Sequence, residues 1–86
     1  MINKLWERIL LNEGETFTQK TGKPFSYDVS GNSIKLTTTN QIVAKSQFEK
    51  ALEYVPLQKT TVIQHLRAPS YLYAILMDPR IKQKDY

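Results

Sequence analysis

Across the first dozen residues, Ile2, Leu5, Trp6, Ile9 and Leu10 recur at intervals of three and four, with Lys4, Glu7, Arg8 and Asn12 between them. That spacing lines the apolar groups along one stripe, predicting a helix over residues 2–11 with Leu10 on its inner side. Gly14 supplies the break, because a glycine past the last periodic residue can take the left-handed conformation that closes a helix.

From Glu15 the period changes to two. Phe17 stands among Thr16, Thr18 and Gln19; after Thr21-Gly22-Lys23-Pro24, the alternation resumes with Phe25, Tyr27 and Val29, separated by Ser26 and Asp28. Successive strand side chains point to opposite faces, so Phe25, Tyr27 and Val29 share one face and the polar residues the other. Ser30-Gly31-Asn32 is a second turn signal, and Ile34 and Leu36 extend the apolar face. The prediction is a three-stranded antiparallel meander within residues 15–43, with room for a fourth short strand at 41–43.

The second half returns to helical spacing. Ser46-Gln47-Phe48-Glu49 fits a capping box, in which the serine oxygen accepts from the N3 amide and the glutamate reaches back to the serine amide. A helix over 46–55 follows, with Phe48, Ala51, Leu52 and Val55 on one side and Pro56 as its stop. Thr60 or Thr61 is positioned to cap a short helix over 61–67. After the Ala68-Pro69-Ser70 joint, Ser70 is read as the cap of a last helix over 71–77, whose Leu72, Ile75 and Leu76 face inward. Asp78-Pro79 ends it, and residues 82–86 read as a frayed tail. The sum is one α+β domain over residues 1–86: an N-terminal helix, a three- to four-stranded antiparallel meander, and about three C-terminal helices within 46–78.

Composition narrows the setting. A chain of 86 residues can build one modest core, and without cysteine no disulfide supports it. Charged residues interrupt the N-terminal apolar pattern, and the longest apolar run, Tyr71 to Met77, has seven residues. The expectation is a cytoplasmic protein with no signal peptide and no membrane partner. The net charge is +4, with five Lys or Arg against four acids in residues 1–43 and seven against four in 44–86. Such an excess favours a polyanionic partner if it gathers on one surface.

Candidate chemistry is sparse. His65 is the single histidine and there is no cysteine, so Cys-His nucleophiles and His-based zinc sites have no basis. The acids Glu13, Glu15, Asp28, Glu49 and Glu53 fall in a loop, on a polar strand face and on helix surfaces, without the spacing of an acid-base pair or a magnesium site. Thr21-Gly22-Lys23 fails as a phosphate loop: Phe17 stands where the earlier glycine belongs, and Pro24 where Ser or Thr belongs. The chain is therefore expected to be no enzyme and to hold no cofactor or metal.

The three helices expected at 46–55, 61–67 and 71–77, with the short joint before the last, resemble a helix-turn-helix nucleic-acid-binding domain over residues 46–81. The resemblance implies that the last helix enters the major groove of duplex DNA. Ser70, Tyr71 and Tyr73 would then lie near the bases, and Arg67, Arg80 and Lys82 would contact phosphates. The turn at 18–23 would serve as a wing through Lys20 and Lys23. The ordinary alternative for Tyr73 is a ring at the core's edge with its hydroxyl in water. Trp6, Tyr54, Tyr71, Tyr73 and Met77 are also residue types enriched at protein interfaces, so a protein-interaction or homodimerisation module stands beside the nucleic-acid reading.

Overall fold

Helix α1 runs over Ile2–Leu11 in the computed structural model, which describes all 86 residues. Leu5, Trp6 and Ile9 are buried and Ile2 packs beside them, whereas Leu10 and Leu11 face outward at 45% and 77% exposure. Leu10 thus departs from the predicted stripe. The buried arc closes at Ile9, and the next residue lies about 100° further round the helix. Asn12 closes the helix, its Nδ2 donating to the Arg8 carbonyl at 2.8 Å. Gly14 follows with φ +82°, a conformation that suits glycine, and its N–H meets the Tyr27 carbonyl at 3.1 Å.

The fold is α+β as expected, and its antiparallel strands divide into a two-stranded hairpin and a three-stranded meander. Strands β1 (Phe17–Thr18) and β2 (Pro24–Phe25) form a hairpin that pairs Phe17 with Phe25. Strands β3 (Tyr27–Ser30), β4 (Ser33–Leu36) and β5 (Ile42–Ala44) form a second sheet with β4 in the middle, and β5 corresponds to the optional fourth strand. The split falls at Ser26. Its N–H and carbonyl are both met by the Thr37 hydroxyl, at 3.2 and 3.0 Å, so a side-chain clasp interrupts the run of strand residues there. Phe25 and Tyr27 are nevertheless both buried, and Ile34, Leu36 and Val43 join them. The outer side of β3 is occupied, because the Val29 N–H donates to the Glu13 carboxylate at 2.6 Å, next to the bond between Gly14 and Tyr27.

Helix α2 (Lys45–Ala51) begins one residue before the predicted cap. Strand β5 runs straight into it through an extended Ala44, and the Asn32 carbonyl accepts the Lys45 N–H at 2.7 Å. Ser46 therefore lies inside the first turn, and the capping box does not form. Phe48 packs edge-on to Trp6 with ring centroids 5.8 Å apart. A 3-10 turn over Leu52–Tyr54 finishes the segment ahead of Pro56.

The helix expected over 61–67 is instead one 3-10 turn, Thr60–Ile63. Thr60, Thr61, Val62 and Ile63 are four β-branched residues in succession, whose stiff side chains crowd a helical turn. Leu57, Ile63 and Leu66 still reach the core from this irregular stretch. Ala68 is left-handed, with φ 48° and ψ 59°, and directs the chain into helix α3 (Pro69–Leu76). Pro69 sits in the first turn, where its missing N–H costs nothing, so the helix starts ahead of Ser70 and the serine does not cap it.

Asp78 caps helix α4 (Pro79–Lys82), its carboxylate accepting from the Arg80 N–H at 2.9 Å. The tail expected to be frayed is exposed at 83–85 but tied down at its end: Asp85 pairs with Arg8 at 2.7 Å and the Tyr86 hydroxyl donates to the Leu76 carbonyl at 2.6 Å. Nineteen buried residues, all hydrophobic, form one cluster drawing on α1, both sheets and the C-terminal helices. No helix is long and apolar enough to cross a membrane.

Candidate nucleic-acid interface

The hairpin β1–β2 folds across α3, and this placement brings separated polar residues together. Its turn is held by the Gln19 N–H on the Lys23 carbonyl at 2.9 Å and by the Gly22 N–H on the Gln19 carbonyl at 2.8 Å. Lys20 extends from that turn with its ammonium 5.4 Å from the centroid of the Tyr73 ring, within the range of a cation–π contact. Thr16, Thr18 and Lys20 form one wall of an open cavity of about 340 Å³, whose other side is supplied by Tyr73, Met77 and Arg80. Ala74 and Asp78 complete the lining.

Arg80 is fixed by its surroundings. Its Nε and Nη2 donate to the two Asp78 carboxylate oxygens at 2.9 and 3.0 Å, Nη2 also donates to the Thr16 carbonyl at 2.8 Å, and the guanidinium lies 4.2 Å from the Phe17 ring centroid. Nη1 alone makes no hydrogen bond within the chain. Burial raises the Asp78 carboxyl, but the hydrogen bonds from Arg80 outweigh it and hold the group below its ordinary value. The same hydrogen bond raises the Arg80 guanidinium. With Arg80 answered by Asp78, Lys20 supplies the free positive charge of the cavity wall.

Of the eight residues singled out from the sequence, Lys20, Tyr73 and Arg80 meet in this cavity, and Lys23 stands exposed in the turn beside it. Tyr71 does not join them. Its ring packs at 88° against Phe25, with centroids 4.9 Å apart, and its hydroxyl lies 3.4 Å from the Thr38 hydroxyl. Ser70 is half-buried in the first turn of α3. Arg67 is exposed, with its backbone N–H held by Gln47 of α2 at 2.9 Å, and Lys82 lies on α4, which packs against α1. Neither lines the cavity.

The geometry also bears on the groove-binding role expected of the last helix. Every residue of α3 is buried or half-buried, so none protrudes as a recognition helix must, and the element before the joint is a 3-10 turn, not a helix. Met77 enters the cavity from the set of interface-type residues, and Thr16, Thr18 and Asp78 carried no site expectation. For Asp78 a signal existed: Asp followed by Pro fits an N-cap with proline in the first turn as well as a helix end, and it sets the carboxylate beside Arg80. Against known proteins, the chain matches no family model, no curated protein and no solved structure.

Proposed function

We propose that the chain is a small non-enzymatic binding domain that contacts nucleic acid through the 18–23 turn and the adjoining faces of α3 and α4. One observation supports this above the rest: Lys20 lies over the Tyr73 ring at the rim of an open cavity that also receives Arg80. An ammonium on an exposed lysine, a second lysine at Lys23 and threonine hydroxyls are the groups that hold a phosphate backbone, and the net charge of +4 favours the encounter. The reading includes a cytoplasmic setting, where a cysteine-free chain needs no oxidising compartment. Titration of labelled duplex and single-stranded DNA at low and moderate salt tests it. Binding that weakens steeply with salt, and further in Lys20→Ala and Lys23→Ala, is expected. No binding of either form by micromolar protein at low salt overturns it.

A second reading, a protein-interaction or homodimerisation module, is favoured by Leu10 and Leu11, adjacent leucines at the end of α1 that are 45% and 77% exposed. Light scattering separates the two. A dimer dissociated by Leu11→Glu supports the module, and a monomer that co-purifies with no partner removes it.

A further inference from the structure

We infer that the Tyr73 cavity is a stacking seat for one unpaired base, so that the ligand is a single strand and not a duplex. This rests on the nucleic-acid reading above and narrows it to a class. The ring of Tyr73 is half-buried and held on α3, while the group covering it, the Lys20 ammonium at 5.4 Å, comes from an exposed position in a turn. An ammonium over an aromatic face occupies the place a base would take, and a nearby phosphate is a stronger partner for it than the ring. Lys20 leaving the ring for a phosphate therefore opens the platform and anchors the backbone in one motion.

The rest of the cavity suits a base. Its volume of about 340 Å³ falls in the lower part of the range for ligand pockets, and Ala74 and Met77 give it apolar surface. Arg80, held by Asp78 and Thr16 with Nη1 unused, presents donors in a fixed position, as a base carbonyl or a phosphate oxygen requires. Duplex DNA meets this site poorly. Its bases are stacked inside, α3 has no protruding face, and the charge that would hold the outside of a duplex is reduced by the pairing of Arg80 with Asp78. Stacking on an aromatic ring is indifferent to base identity, so no strong sequence preference is expected.

The chemistry recognised is a base with its adjoining phosphate, which a strand or a free nucleotide can both offer. The test uses fluorescence anisotropy with a labelled oligothymidylate, the same backbone lacking bases, and a hairpin duplex, with thymidine monophosphate as competitor. The oligothymidylate is expected to bind about tenfold more tightly than the abasic strand or the duplex. Tyr73→Ala is expected to erase that margin, and Tyr73→Phe to retain it. Equal binding of all three probes overturns the stacking seat and leaves backbone binding standing. Competition by the mononucleotide at concentrations comparable to the strand overturns the assignment to a strand. No binding of any probe overturns both this inference and the function it rests on. The comparison of the three probes on the unaltered protein decides the matter even if Tyr73→Ala fails to fold.

Discussion

The Tyr27 hydroxyl donates a 2.6 Å hydrogen bond to the Ile9 carbonyl, joining the three-stranded sheet to α1 at a point closed to solvent. Tyr27→Phe keeps the ring and removes the bond, and it is expected to lower stability by about 1 kcal/mol, measurable by urea unfolding. The same burial makes the fold sensitive to alkali. Burial raises the Tyr27 phenol above its ordinary value of 10.0 and pushes that of Tyr86 up to about 12. The unfolded chain loses these protons first, so the stability these two phenols contribute is full below pH 10.0 and declines as pH rises toward the folded values. Tyr86→Phe is expected to flatten part of that decline.

Asp78 serves both as cap of α4 and as partner of Arg80, and two substitutions separate these roles. Asp78→Asn keeps an acceptor suited to the cap and removes the charge, whereas Asp78→Ala removes both. The alanine variant is expected to lose about 1 kcal/mol more than the asparagine variant. Because the folded carboxyl is held below its ordinary value, its stabilisation is present above that value and lost as pH falls through the lowered one. The gap between the natural protein and Asp78→Asn, followed by urea midpoint against pH, should close in acid.

Ala68 holds a left-handed conformation at φ 48°, directly before a proline. That conformation costs a non-glycine residue roughly 1–2 kcal/mol, and glycine adopts it freely at a cost of roughly 0.4–1 kcal/mol in added freedom of the unfolded chain. Ala68→Gly is therefore expected to raise the midpoint of urea unfolding. A lowered midpoint would mean that the lost methyl contact with the core outweighs the relief.

The two leucine environments on α1 make a direct contrast. Leu5→Ala is expected to cost about 2–5 kcal/mol, since that side chain is buried in the central cluster. Leu11→Ser should stay within about 0.5 kcal/mol of the natural protein, because the side chain is largely in water.

What could be read from the residues depended on how local the deciding interaction is. Helix α1 has its predicted bounds because its apolar period persists for about two turns before the Asn12–Gly14 break, and the strands are legible through the alternation around Phe25, Tyr27 and Val29. The split at Ser26 was not, because its clasp is Thr37, eleven positions away. At 60–67 an apolar spacing compatible with a helix hid a run of four β-branched residues that opposes one. In the candidate site, Lys20 and Tyr73 each stood out alone, but their meeting depends on the hairpin lying across α3, which no local spacing encodes. The cap signal at Asp78 foretells the carboxylate two residues from Arg80, whereas the bond of Arg80 to the Thr16 carbonyl and its place over the Phe17 ring become apparent only once the chain is folded.

The turn after α1 occupies the outer side of β3 with the Glu13 carboxylate and the Gly14 amide, leaving β5 as the free margin of that sheet. Growth by strand addition needs two open margins on every unit, one to receive and one to offer. A unit with a single open margin can join one other, and the pair then has none left. Through this sheet alone, ladder pairing therefore stops at two copies, β5 against β5.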